Sequence, residues 1–312
     1  MLACGVESRH DRVSMVPPIR QAETRRNLIN FALITVLCLA WSSTWWAIRI
    51  CLEEQTPLSS AAVRFVIAGI TMAAVTPKLR KWENAPPPPT WLWALCGITN
   101  FGAAYGILYC AETAVPSGIA AVLWAIFPLL MAGSAVCFLG ERLSVKQWLG
   151  FAVSFAGIVT VFSGDLGGMS EHNVGYAWLL LLSPVVAAFG TTVVKKYGSK
   201  HSSVILNRNG MLLGAAMLLV AAFVREDPLN ITWSLRVTVT TVCLSVFGTT
   251  MTFGIYFWLL RTAPASMLAL INYVTPVLAI VLAHLVGDGS HGTMTWVGAG
   301  CVVIGIALVV RK

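Results

Sequence analysis

PSGIAAVLWAIFP at residues 116–128 and PASMLALINYVTP at 264–276 are two versions of one text, 148 positions apart. The register extends without a gap: Gly106/Gly254, Pro116/Pro264, Pro128/Pro276, Trp148/Trp296, Gly150/Gly298 and Gly157/Gly305 all coincide. The chain is a duplication, and each copy sits in a half that carries five apolar stretches. An odd number of crossings turns the second half over relative to the first, an arrangement typical of membrane transporters.

Composition agrees with such a chain. Of 312 residues, 57% are hydrophobic and only 11% charged, and the mean hydropathy is +0.77. A polytopic protein whose surroundings are the lipid bilayer follows. The net charge of +8 does not point to nucleic acid, because the basic residues sit at the ends of apolar stretches and form no dense stripe. The eight cysteines are scattered without a CxxC pair or a Cys/His cluster and read as small core residues, so no metal or other cofactor is expected. HExxH, GxSxG and Walker A motifs are absent from the sequence, and an enzyme is not expected.

A membrane span needs about 20 apolar residues. Punctuation by Pro, Gly and charge gives ten: 29–49, 58–76, 91–111, 117–139, 146–163, 175–194, 203–224, 237–260, 265–286 and 293–310. The fold expected is therefore an all-α membrane protein of ten transmembrane helices. Its parts are a cytoplasmic tail (1–27, without a cleavable signal sequence), a five-helix repeat (28–163), a non-cytoplasmic linker (164–174), a second repeat (175–310) and a short tail (311–312).

Lys and Arg set the orientation, because short cytoplasmic loops retain them. With the N-terminus inside, the cytoplasmic face collects Arg9, Arg12, Arg20, Arg25, Arg26, Lys78, Arg80, Lys81, Arg142, Lys146, Lys195, Lys196, Lys200, Arg261, Arg311 and Lys312. Only Arg49, Arg225 and Arg236 fall at the other face, beside Glu53, Glu54, Asp165, Glu171 and Asp288. N-in and C-in topology with two inverted repeats satisfies every connection. The run Ala85-Pro86-Pro87-Pro88-Pro89 is an extended, stiff cytoplasmic spacer.

Ten spans in two groups of five, Pro116-Ser117-Gly118 opening the fourth, Pro128 within it and Gly140-Glu141-Arg142-Leu143-Ser144 closing it resemble the drug/metabolite transporter superfamily, EamA type. The second half carries Ala263-Pro264-Ala265-Ser266 and Thr275-Pro276 at the matching places, while Gly287-Asp288 departs from the Gly-Glu of the first copy by one position. The resemblance covers residues 28–310. It implies export of a small organic metabolite, such as an amino acid, and a first helix that borders the path; the Lys/Arg-poor outer loops and lack of targeting signals fit a bacterial inner membrane. The first helix brings in Trp41 and Trp45, four residues apart on one helical face.

Polar and aromatic residues inside spans are the other candidates for a cavity: Asn100 and Tyr105, with Tyr109, in span three, Trp124 in span four, Tyr256 and Trp258 in span eight, and Asn272 with Tyr273 in span nine. Trp124 and Asn272 are repeat mates, four residues before the aligned prolines, and should face each other across one cavity. Pro128 and Pro276 each remove a backbone donor, so bends are expected there. Arg64 and Arg208 occupy similar places in spans two and seven. Each either snorkels or pairs with an acid such as Glu53 or Glu54, or holds a substrate carboxylate or phosphate.

His284 is a candidate for proton coupling, Glu141 for organising the turn after span four, and Glu112 lies at a span end. The glycines spaced by seven on spans five and ten read as packing faces, towards each other or a second copy in a homodimer. Asn230-Ile231-Thr232 is a glycosylation sequon, meaningful only in a secretory membrane. The competing reading is a binding or scaffold protein that kept this fold and lost transport.

Overall fold

The computed structural model describes residues 18–115, 117–163, 171–228, 232–286 and 292–310, and the regular structure among them is entirely helical. The apolar helices are α1 (Asn27–Leu52), α2 (Pro57–Glu83), α3 (Thr90–Glu112), α4 (Ile119–Leu139), α5 (Val145–Val161), α6 (Val174–Gly198), α7 (Ser203–Arg225), α8 (Leu235–Leu260), α9 (Ala265–Val281) and α10 (Thr293–Val310). Eight are long and apolar enough to cross a membrane; α5 and α9 are shorter. The protein is a multi-pass integral membrane protein. Phe31, Trp46, Ile70, Phe138, Val220, Phe223 and Val303 are exposed, as contact with lipid requires. Pro116, Asp165, the first two sequon residues Asn230-Ile231, Gly287-Asp288, Arg311-Lys312 and the side chain of His284 lie outside the described residues.

Helix ends leave backbone groups unpaired, and in lipid these must find partners inside the protein. Ser144 closes a capping box with Gln147 on α5, and Ser202 and Ser234 accept from the Ile205 and Val237 amides. Carboxylates from other helices reach the starts of α2, α7 and α9. Glu83, the last residue of α2, accepts from the Ser203 amide (2.7 Å), from Ser203 Oγ (2.5 Å) and from Ser202 Oγ at the start of α7. Glu226, just past α7, accepts from the Leu58 amide (2.8 Å) and from the amide and hydroxyl of Ser59 (2.9 and 2.7 Å) at the start of α2. Each helix ends on the beginning of the other, so α2 and α7 lie antiparallel. Glu141, beyond α4, likewise accepts from the Ala265 amide (2.7 Å) and Ser266 Oγ (2.5 Å) at the start of α9.

The packing repeats under exchange of the halves. α1 lies on α8 and α9 as α6 lies on α3 and α4; α2 touches α8 as α7 touches α3. α5 packs along α10 through the duplicated glycines: a Cβ on Gly150 would sit 2.6 Å from the Gly305 carbonyl oxygen, and one on Gly157 2.7 Å from that of Gly298. Only hydrogen fits there. The proline spacer is tied down, since the Ser202 amide donates to the Pro86 carbonyl (2.8 Å).

Five helices depart from the regular α form. α3 contains a π-helical turn at Gly97–Ala103 and α8 one at Val246–Met251. Threonine hydroxyls take up carbonyls in these widened turns: Thr99 Oγ1 on Leu95 (2.8 Å), Thr249 Oγ1 on Leu244 (2.9 Å) and Thr250 Oγ1 on Ser245 (3.1 Å). α1 is interrupted at Ser43, where Ser42, Ser43 and Thr44 each bond back to a carbonyl three residues earlier. α4 breaks at Ala125–Ile126, just before Pro128. In α9 the break falls at Leu270, and Pro276 stays inside Ile271–Val286.

Burial alone would raise the Glu226 carboxyl, but hydrogen bonds from the 56–59 turn outweigh it and hold the group below its ordinary value. Glu226→Gln is expected to cost about 1 kcal/mol near neutral pH. A lowered folded-state pKa gives stability above the ordinary carboxylate range and loses it as pH falls through the lowered value. The gap between wild type and variant should therefore narrow as pH falls below the ordinary carboxylate range, read by thermal unfolding across pH. Separately, Gly157→Val is expected to part α5 from α10 and destabilise by about 1–3 kcal/mol in the same assay.

Candidate functional site

The irregular turns of α1, α3, α4, α8 and α9 converge on one cavity of about 90 Å³, more than a single buried water requires. Its walls are Trp41, Thr44, Trp45 and Ile48 of α1, Arg64 of α2, Asn100, Tyr105 and Leu108 of α3, and Ala121, Trp124 and Phe127 of α4. The second half supplies Ala187 and Thr191 of α6, Phe253 and Tyr256 of α8, and Asn272, Thr275 and Pro276 of α9. Four wall positions in one half face their repeat mates in the other, at the same spacing of 148: Tyr105/Phe253, Leu108/Tyr256, Trp124/Asn272 and Phe127/Thr275.

Of the residues singled out from the sequence, Trp41, Trp45, Arg64, Asn100, Tyr105, Trp124, Tyr256, Asn272 and Pro276 line this space. Tyr273 does not: it is buried between α4, α5 and α9, and its hydroxyl donates to the Phe151 carbonyl (3.3 Å). Pro128 is buried outside the lining. Arg208 is half-buried and bonds its neighbour Asn209 (2.9 Å). The capping carboxylates Glu83 and Glu226 stand 143 positions apart, and this register makes Asn207, not Arg208, the counterpart of Arg64. Asn207 is fully buried and donates to the carbonyls of Ser203 and Phe253.

Arg64 is 1% exposed. Its Nε donates to Thr249 Oγ1 (2.8 Å), Nη1 to the Tyr109 hydroxyl (3.2 Å) and Nη2 to the Gly248 carbonyl (3.4 Å), while the Tyr105 ring lies 4.8 Å beneath the guanidinium. The π turn of α8 thus holds the cation. It neither snorkels nor pairs with Glu53 or Glu54, which bind Arg236 and Ser234.

The π turn of α3 holds Asn100, whose amide donates to Thr99 (3.1 Å) and whose oxygen accepts from Thr191 (2.9 Å). Gly190 makes this fit, because a Cβ there would sit 2.0 Å from Thr99 Oγ1. Trp41 packs against Phe253 and Tyr256, each at 5.6 Å, and Trp124 stacks on Phe127 at 5.8 Å.

Sequence reasoning missed Thr44, Thr191, Thr275, Phe127 and Phe253 in the walls, and Thr249 behind Arg64. The signal was the run Thr249-Thr250-Met251-Thr252 inside an apolar span, where hydroxyls have backbone to satisfy.

A model of the EamA-like transporter family matches residues 29–163 and 174–311. The uncharacterized inner membrane transporter YedA of Escherichia coli K12 is 31% identical over 292 residues, 91% of this chain and 92% of that one. The uncharacterized transporter YvbV of Bacillus subtilis is 27% identical over 81% of this chain and 82% of its own. Protein PagO of Salmonella typhimurium is 24% identical over 88% and 91%. A solved crystal structure superposes with a TM-score of 0.76 at 19% identity, covering 90% of this chain and 96% of that one, and shows the same fold.

The Tyr256 hydroxyl is buried without a partner. Tyr256→Phe should therefore leave stability within about 0.5 kcal/mol, whereas Asn100→Ala orphans the Thr191 hydroxyl and should cost about 1–3 kcal/mol. Thermal unfolding of the two variants side by side checks the contrast.

Proposed function

Because the chain belongs to the EamA-like transporter family, we propose that it carries a small organic metabolite, amino acid-like or related, out across the bacterial inner membrane. The observation that carries this reading is the cavity, which both halves build from repeat-related positions and which coincides with the broken turns of α4 and α9. A site at the interface of two repeats can open to either side when one bundle rocks against the other.

The topology proposed has ten spans with both termini inside and the second repeat inverted. Antiparallel α2/α7 and the end-to-start clasps of Glu83, Glu226 and Glu141 support the inversion, and the distribution of Lys and Arg supports the orientation. Trp41, Trp45, Asn100, Tyr105, Trp124, Tyr256 and Asn272 are the proposed substrate contacts. The glycine faces that suggested a homodimer are occupied within one chain by the α5–α10 seam, so the unit proposed for transport is a single copy.

Purified protein in proteoliposomes should release a subset of a loaded metabolite mixture, and Trp124→Ala with Asn272→Ala should cut that flux about tenfold or more. Absence of flux for every component, or an unaffected double variant, would favour the transport-inactive scaffold.

A further inference from the structure

Among the described residues, three buried polar atoms of the cavity wall have no hydrogen-bond partner. Trp41 Nε1, Trp124 Nε1 and the Tyr256 hydroxyl are buried without hydrogen-bond partners, and each lines the space. An indole N–H can only donate. Arg64 adds the cavity's charge: among the described residues no carboxylate lies within ion-pairing distance of it. Nη1 and Nη2 carry four N–H groups and give two of them to Tyr109 and Gly248, so donors remain for a carboxylate. No carboxylate lines the cavity. Two unpartnered indole N–H donors and a tyrosine hydroxyl beside one buried cation suit a singly charged anion, and the rings of Trp41, Trp124, Phe127 and Phe253 offer its organic part an apolar lining.

The counter-charge stands outside the wall. Glu112 closes α3 one turn beyond Tyr109, which itself bonds Arg64. The Glu112 residue is 1% exposed and neither carboxyl oxygen has a hydrogen-bond partner. The groups that face it are Arg49 from α1, Arg64 from α2, and Tyr105 and Tyr109 from α3, with Cys51 of α1 beside Tyr109 and Arg64. Arg49 gives its hydrogen bond to the Glu112 backbone carbonyl (3.4 Å), not to the side chain. A buried carboxylate without a hydrogen bond is costly, and the neutral acid is far less so. Arg64 is thus shared between two negative groups that compete for it, one in the cavity and one behind it.

We propose that the cavity binds an organic monocarboxylate on Arg64 and that Glu112 takes up one proton as it binds, so that anion and proton load together as a neutral pair. This rests on the cavity being the substrate site. With Glu112 protonated, the Arg64 charge is free for the ligand; with Glu112 ionised, that charge is partly neutralised and the ligand is held less tightly. Linkage makes the effect reciprocal: a bound anion increases the affinity of Glu112 for its proton.

The test uses full-length protein in detergent with phenylacetate and its neutral isostere phenylacetamide, followed by thermal stabilisation and titration calorimetry. Phenylacetate should stabilise the protein and phenylacetamide should not. Its affinity should fall about tenfold as pH is raised over a range in which the probe itself stays ionised, and binding should take up protons. Arg64→Gln should abolish the preference for the carboxylate, and Arg64→Lys, which keeps the charge and loses the fork, should weaken it; the latter carries this arm if Arg64→Gln does not fold. Glu112→Gln should keep the preference and lose its dependence on pH.

Equal effects of acid and amide, or a preference that survives Arg64→Gln, would overturn the anion site. An unchanged pH dependence in Glu112→Gln would overturn the proton site. Flux of a metabolite mixture in proteoliposomes separates this from the transport reading. Flux without carboxylate preference removes the inference alone, and carboxylate binding without any flux removes the transport reading alone.

Discussion

A helix start leaves backbone amides that need acceptors, and the antiparallel clasp of α2 and α7 supplies them to both halves at once. Glu83 occupies the amides that open α7, and Glu226 those that open α2, so neither half completes its own capping. The arrangement pins the two helices at both ends. It also fixes their rotation, since Gly69 must face Leu212 where the pair crosses. Everything built around this axis then follows in pairs, from the α1 contacts with α8 and α9 to those of α6 with α3 and α4.

A bundle satisfied at its ends still needs a reason to be hollow. The two π turns provide it. Each widens its helix beside the central axis, and each does so where threonine hydroxyls can take up backbone carbonyls. In α3 the turn is met by Gly210 and Gly214 of α7 on one side and by Gly190 of α6 on the other. The backbones close in behind the turn, and its polar side chain, Asn100, is left on the cavity wall. In α8 the same distortion presents Thr249 and the Gly248 carbonyl to Arg64. A buried cation is tolerated because a widened turn supplies acceptors that a regular helix would have spent on itself.

Duplication, apolar stretches and the polar-aromatic wall were legible in the sequence because each depends on residue type and spacing. Trp41 and Trp45 follow from helical periodicity, and Trp124 with Asn272 from the repeat. The π turns were not legible, because a widened turn is stabilised by what packs on it as much as by its own residues. Arg208 was misaligned for a simple reason. The gap-free register of 148 holds from α3 onwards, but the α2/α7 pair is spaced by 143, the second copy having a longer connection between its second and third helices. Arg64 and Arg208 look alike in a linear comparison, while the clasping carboxylates put Asn207 opposite Arg64.

Departures from symmetry then carry the chemistry. A strictly twofold cavity would present the same groups twice and could hold an asymmetric molecule in two equivalent ways. Here the α4 wall is aromatic, Trp124 and Phe127, and the α9 wall is polar, Asn272 and Thr275; the α3/α8 pairs Tyr105/Phe253 and Leu108/Tyr256 exchange their hydroxyl from one side to the other. The cation exists on one side only, since the repeat counterpart of Arg64 is Asn207. A molecule with a polar end and an apolar body therefore has one favourable orientation. The backbone keeps the twofold relation of the two halves, and the side chains abandon it along the cavity wall, where a ligand's orientation would be decided.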